Sequence, residues 1–263
     1  MDFNEQTLKA ALAGKKIGAP LYFFPTTEST NTRAFHLAEA GAPEGTVVVA
    51  DAQSRGKGRM KREWLSPAGV NIYASLILRP RMDAVFSSPL TIMAGVAVAE
   101  VLSTFSDPPV QLKWPNDVLL QGCKVAGILT EMKTLGKEVQ FVVLGIGINV
   151  NMRRDDLAPQ LAKVATSMSL AAGKDFSRLE IAVKLFGKIE GLYKLFLREG
   201  MSPIRELWLG YARALGKCVE VTCGNEIYRG RVKGMDESGA LLIVADSGVE
   251  RRVIAGDTMI IKE

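Results

Sequence analysis

Lys113-Trp114-Pro115-Asn116-Asp117 joins two short apolar runs, 110–114 and 118–120, and sets a cation, a large aromatic, a rigid proline and two polar side chains side by side. Proline removes a backbone donor and bends the chain, so Asn116-Asp117 reads as a turn that presents its side chains between two strands. A plain Pro-Asn-Asp turn fits the same pattern. Just beyond it, Lys124-Val125-Ala126-Gly127-Ile128 puts a lysine at the mouth of an apolar strand. The runs 125–132 and 139–150 read as a hairpin whose second arm carries Gly145-Ile146-Gly147-Ile148-Asn149-Val150-Asn151. Glycine inside a strand marks either the close approach of a ligand or backbone, or a bulge.

Moving toward the amino terminus, 71–78 is a strand bounded by Gly69 and Pro80. The all-apolar run 46–50 reads as a fully buried strand, and 22–24 as a short aromatic one. Ser29-Thr30-Asn31 supplies cap-type residues ahead of a helix near 31–41. Further helices are expected over 5–13, 88–104, 157–172 and 178–199. In the last of these Ile181, Leu185, Ile189, Leu192 and Phe196 recur at spacings of four and three, which is a core face. The pattern changes after Leu215. Short strands then alternate with tight turns at Gly224-Asn225, Asp236-Glu237-Ser238-Gly239 and Asp246-Ser247-Gly248, as in a small antiparallel barrel. The boundary is placed near 212–216, giving units 1–213 and 214–263.

The 263 residues are 48% hydrophobic and 23% charged, which supports a large core and argues against wholesale disorder. A net charge of +5 suits a nucleotide or an acidic protein partner as well as it suits nucleic acid. Three cysteines without metal-type spacing point to a reducing compartment, and a single histidine, His36, is a poor basis for a zinc site. No metal site built from side chains is expected. The opening residues lack the apolar run of a secretory signal, and the most apolar stretch, 89–105, carries Glu100 and reads as a buried helix. The expectation is a soluble cytoplasmic protein without membrane attachment.

The segment Gln53-Ser54-Arg55-Gly56-Lys57-Gly58-Arg59-Met60-Lys61-Arg62-Glu63-Trp64 interleaves five cations with two glycines between two strands. Glycines let backbone amides approach an anion, and clustered cations stabilise phosphate or carboxylate. It matches neither the phosphate loop nor the dinucleotide fingerprint. Alone, it is as good a solvated turn as a binding loop.

Taken in order, Ser29-Thr30-Asn31, the 53–64 loop with Ser66-Pro67, Lys113 to Asp117, Lys124-x-Ala-Gly-Ile, Gly147-Ile148-Asn149 and Gly234-Met-Asp-Glu-Ser-Gly-Ala-Leu-Leu resemble the biotin–protein ligase family. The resemblance implies an α+β fold: a mixed β-sheet flanked by helices, like lipoate ligases and class II aminoacyl-tRNA synthetases, followed by a small SH3-like barrel. It also implies a reaction in which biotin and MgATP give biotinyl-5′-AMP and pyrophosphate, and biotin then passes to a lysine of a biotin carboxyl carrier protein. Ser29, Thr30, Asn31 and Gln53 are expected to bind biotin, the hydroxyl and amide groups suiting its ureido ring. Arg59 and Lys124 are expected to hold carboxylate and phosphate together, with Lys57 and Gly58 closing the loop. Gly56, Lys113, Asn116 and Asn149 complete the nucleotide side. Asp117 is assigned as proton acceptor for the attacking lysine, with a turn-stabilising role as the alternative.

Two departures stand out. The family loop reads Gly-Arg-Gly-Arg-x-Gly-Arg, whereas this chain has Lys57 and, in place of the last glycine, Lys61. Lysine keeps the charge of arginine but not its bidentate geometry. Bifunctional members also carry a DNA-binding winged helix before the catalytic domain. Only about twenty residues precede the matched segments here, so the expectation is a monofunctional enzyme without specific DNA binding. Family members include monomers and dimers formed through the central sheet, so a homodimer is compatible with the resemblance. Three rivals are a lipoate ligase, for which the Lys-Trp-Pro-Asn-Asp string is not a signature, a non-catalytic biotin sensor, and a nucleic-acid-binding protein. The last would interleave aromatics with its cations, and 54–62 has none.

Overall fold

Two nearly all-apolar stretches seed the main sheet: β2 (Val47–Gln53) and β3 (Ile72–Leu78), with every side chain of β3 buried. The computed structural model describes residues 2–83, 88–106 and 109–261. Around this pair are set β1 (Leu21–Thr27), β4 (Val110–Lys113), β5 (Asp117–Leu120), β6 (Cys123–Leu135) and β7 (Glu138–Ile148), in the order β1-β2-β3-β7-β6-β5-β4. β1 runs parallel to β2 and the other neighbours are antiparallel, so the sheet is mixed, as expected. The β6–β7 hairpin is longer than its apolar core suggests because it projects past the sheet to a turn at Gly136-Lys137.

Helices cover both faces. On one, α2 (Thr30–Glu39) sets Ala34 and Ala38 against Val48, Ile77, Phe141 and Val143. On the other lie α1 (Glu5–Ala11), α3 (Ser88–Ser103), α5 (Arg178–Glu199) and α6 (Ser202–Tyr211), the last of which the sequence pattern does not announce. The alternating sides of β2 explain the split, since Val48 faces α2 while Val47 and Val49 face the larger cluster. Among the described residues no helix is long and apolar enough to cross a membrane.

The helix expected over 157–172 is wrong. Only Met168–Ala172 (α4) is helical, and the residues before it form turns. The backbone there is committed elsewhere: Lys124 N donates to Val164 O (2.8 Å) and Thr166 N to Lys124 O (2.9 Å), a parallel bridge onto the start of β6. Helical spacing of apolar residues loses to these strand-like bonds. α4 starts only where Ser167 accepts from the Leu170 amide.

Beyond α6 the chain forms β8 (Cys218–Cys223), β9 (Glu226–Met235), β10 (Leu241–Val244), β11 (Glu250–Val253) and β12 (Asp257–Ile260). They make a five-stranded antiparallel sheet ordered β11-β10-β9-β8-β12, with a bulge at Leu242/Ile243. One buried hydrogen bond ties it to the main sheet: Trp114 Nε1 donates to Gly239 O at 3.0 Å. Trp114 is thus a core residue at the junction. Replacing it by alanine should lower unfolding stability by about 3–5 kcal/mol, measured by urea denaturation; a loss below 1 kcal/mol, roughly the worth of one ordinary hydrogen bond, would contradict this placement.

Candidate active site

Register decides where the cavity lies. Gly127 of β6 pairs with Gly147 of β7, and Gly147 pairs in turn with Tyr73 of β3, so two adjacent strands offer no Cβ at the same level. A Cβ on Gly147 would lie 2.6 Å from the Trp64 indole, and one on Gly127 would lie 3.0 Å from its far edge. Gly145 likewise leaves room for Asn31, whose Oδ1 would be 2.0 Å from an added Cβ. Of the two readings of these strand glycines, close approach is the one realised. Above this floor opens a cavity of about 490 Å³.

One wall is a polar network. Ser29 occupies the N-cap position of α2 without capping it through its side chain, and Ser29, Thr30 and Asn31 are all buried. Thr30 N and Oγ1 donate to Gln53 Oε1 (2.8 and 3.1 Å), and Gln53 Nε2 donates to Ser66 Oγ (2.9 Å). Ser66 Oγ donates to Trp64 O (2.8 Å). Asn31 Oδ1 accepts from Ser75 Oγ (2.6 Å), while its Nδ2 donates to Glu131 Oε2 (2.8 Å). The other Glu131 oxygen meets Lys57 Nζ at 3.2 Å. The network therefore leaves the loop at Lys57 and returns to it at Trp64. Tyr73, on the same floor, donates to Pro67 O (3.0 Å), and burial pushes its hydroxyl above the ordinary tyrosine range.

The opposite wall carries the cations. Lys124 Nζ lies 2.5 Å from Asp117 Oδ1 and 5.3 Å from the Trp64 ring centroid. Arg59, a quarter exposed, donates to Asn116 Oδ1 (3.0 Å) and reaches the Gly256 carbonyl and Asp257 of the C-terminal sheet (3.4 Å each from Nη1). Asn116 Nδ2 donates to Ile128 O (2.9 Å), which fixes the turn after Pro115. Asn149 Nδ2 donates to Thr166 O (3.0 Å), holding the 164–166 segment against Lys124. Lys113 also borders the cavity. The loop closes on itself, with Gly58 N donating to Arg62 O (2.7 Å) and Trp64 N to Gly56 O (2.8 Å). Gly56 is required by that packing, since a Cβ would sit 2.3 Å from Trp64 O. Every residue given a binding or catalytic role from the sequence, Gly56 excepted, borders this one cavity.

A site with a Cβ-free apolar floor, amide and hydroxyl groups on one side and two cations on the other suits an apolar, ureido-type ring bearing an anion. Comparison with known proteins agrees. The biotin/lipoate A/B protein ligase family matches residues 23–149, and the biotin protein ligase C-terminal domain matches 214–258. The bifunctional ligase/repressor BirA of Bacillus spizizenii is 37% identical over 94% of this chain and 76% of its own length. This chain belongs to the biotin–protein ligase family.

The biotin–[acetyl-CoA-carboxylase] ligase of Mycobacterium tuberculosis is 31% identical over 97% of this chain and 95% of its own. A solved structure of the Aquifex aeolicus biotin protein ligase in complex with biotin and ATP superposes with a TM-score of 0.79 at 31% identity, covering 92% of this chain and 99% of that one. The expected mixed sheet flanked by helices and the small SH3-like C-terminal sheet domain both hold.

In this ligase the sequence shows Trp64 only as the end of the loop, and it gives no role to Glu131, Ser75 and Asp257. Ser75 left a trace, a hydroxyl in an otherwise apolar strand. Glu131 and Asp257 left none, because each acts on a residue far away in the chain. The departure at Lys61 has a backbone consequence: Met60 and Lys61 both adopt left-handed conformations, φ +54° and +60°, where the family pattern supplies glycine at the second position.

The floor gives a graded prediction. Gly145→Ala should destabilise the protein by about 1–3 kcal/mol, because Asn31 is buried and cannot yield. Gly187→Ala, within α5 and with nothing near its Cβ, should stabilise by roughly 0.5–1 kcal/mol. Urea melts of the two variants that moved in the same direction would refute the account.

Proposed function

We propose that this ATP-dependent ligase divides its chemistry between the two walls of the cavity. It activates biotin with MgATP to biotinyl-5′-AMP and transfers biotin to a lysine of a carboxyl-carrier domain. In the first step a biotin carboxylate oxygen bonds to the α-phosphorus and pyrophosphate leaves. In the second the lysine nitrogen bonds to the acyl carbon, loses a proton, and AMP leaves. The observation that carries this reading is that Ser29, Thr30, Asn31 and Gln53 line the same cavity as Arg59 and Lys124.

Ser29, Thr30, Asn31 and Gln53 bind the ureido end, Thr30 and Gln53 exchanging the bonds between them and Asn31 those to Ser75 and Glu131. Lys57 and Gly58 belong to the loop that covers biotin. Arg59 and Lys124 hold carboxylate and phosphate, two anions that repel until cations lie between them. Lys113, Asn116 and Asn149 border the nucleotide, with Gly56 shaping the loop behind them. Magnesium would enter with ATP, held by the phosphates and at most one or two side-chain oxygens, with Asn116 and Asn149 the candidates on the nucleotide side.

Asp117 has two roles to choose between, proton acceptor or counter-ion of Lys124. The 2.5 Å contact favours the counter-ion, because the carboxylate is already committed to the Lys124 ammonium. The unit boundary at 213/214 is supported by the start of β8 at Cys218. None of Cys123, Cys218 and Cys223 forms a disulfide, which supports a reducing compartment, the cytoplasm.

The deciding experiment combines purified protein, MgATP and a carrier domain with either biotin or lipoate, and reads the mass of the carrier. Biotin addition to one lysine is expected; lipoate addition, or ligand binding without transfer, would overturn the reading. Arg59→Ala and Lys124→Ala should each lower biotin-dependent pyrophosphate exchange roughly a hundredfold or more, and near-normal exchange would remove them from the site. Asp117→Asn should depress both half-reactions together, whereas loss of transfer alone would restore the proton-acceptor role.

A further inference from the structure

We propose that Arg213 is a nucleotide-binding residue whose guanidinium forms one side of the pocket for the purine base. It belongs to the segment that joins α6 to β8. The Arg213 amide donates to Leu112 O (3.0 Å) and Ala212 bridges to Leu112, which fixes the residue along β4, the last strand of the main sheet. Its Nη1 donates to Gly122 O at 3.1 Å, in the turn between β5 and β6. A Cβ on Gly122 would stand 3.4, 3.6 and 3.7 Å from Nη2, Nη1 and Cζ of Arg213. The guanidinium therefore rests its plane on a position without a side chain, and it borders the cavity.

Two observations point to a base rather than to phosphate at this end. The first is the lining. Leu119 borders the cavity and is 3% exposed, yet it lies outside the core cluster that takes Val118 and Leu120 from the other face of β5. It pairs with Lys124, whose amide donates to Val164 O, so Leu119 and Val164 give this end an apolar surface beside the guanidinium. The second is the charge. Lys57, Arg59, Arg62 and Lys124 each face a carboxylate that an incoming phosphate can replace. Among the described residues no carboxylate pairs with Arg213, and Gly122 O is the one side-chain hydrogen bond it makes. A planar, weakly hydrated cation that is not spent on an ion pair is suited to stacking on an aromatic ring. Adenine supplies such a ring, one strand away from the Lys124–Asp117 pair.

This assignment rests on the reading of the cavity as a site for biotin and ATP. Titration of the full chain with ATP and with AMP tests it without turnover. Arg213→Ala should weaken both nucleotides by roughly three- to tenfold, the range of a partly exposed cation–π contact. In biotin-dependent exchange the KM for ATP should rise by the same factor, while the KM values for biotin and pyrophosphate stay at their parental levels. Arg213→Lys keeps the charge and loses the plane, so its nucleotide affinity should stay near that of the alanine variant. Should Arg213→Ala lower Tm appreciably, Arg213→Gln keeps a donor for Gly122 O and should show the same weakening. Full recovery by lysine, or a loss confined to pyrophosphate, would mark a plain charge contact and overturn the stacking role. A KM for biotin that rises in step would mark a merely structural one. ATP that binds the parent and the variants alike removes Arg213 from the site; ATP that binds none of them, parent included, instead refutes the function proposed above.

Discussion

The site depends on an absence of side chain at one level of the sheet. Gly127 and Gly147 oppose each other across β6 and β7, and the space left by two missing Cβ atoms is where the Trp64 indole rests. Trp64 ends the loop, so its seat determines where the loop comes down. Gly145, two residues away on the same face, admits Asn31 into the polar network by the same means. Shift the β6–β7 register by one residue and leucine and isoleucine would stand where the indole and the amide now lie. A cavity of this size in an otherwise dense sheet is thus a property of backbone pairing first and of polar side chains second.

Charge follows a matching scheme. Lys124 has Asp117, Lys57 has Glu131, and Arg59 with Arg62 shares Asp257. Each carboxylate comes from a different part of the fold, β5, β6 and β12, so the cations are spread around the opening rather than bunched at one point. An empty site crowded with uncompensated cations would repel itself and keep the loop out. Internal carboxylates let the cations gather beforehand, and an incoming anion exchanges one partner for another. Lys57 fits the scheme without the planar fork of an arginine, because Glu131 offers it a single oxygen while the other serves Asn31.

Much of this could be read in the sequence, though unevenly. The strands were legible because they are apolar runs bounded by turn residues, and α5 because its apolar residues keep helical spacing over its full length. The segments that line the cavity were legible because each packs unusual residue types into a few positions. What escaped was relational. The residues of 157–167 have a plausible helical spacing, yet their backbone bonds to Lys124, some forty positions earlier. Glu131 looks like any charged residue of an exposed hairpin until Asn31, a hundred positions away, is placed beside it. Ser29-Thr30-Asn31 looked like a cap and is one by backbone position only; its side chains turn inward to the network.

The junction through Trp114 and Gly239 spans 125 residues, and the contact between Arg59 and Asp257 spans 198. A chain made from its amino terminus must hold its loop, glycine floor and both principal cations ready well before β12 exists. During that interval the Trp114 indole has no carbonyl to meet, and the Met60-Lys61 pair has only the loop's own backbone bonds around it. Nascent chains would therefore carry this basic loop without its Asp257 contacts until the C-terminal sheet docks. Synthesis order thus gives this fold a built-in delay between having the parts of a site and having the site.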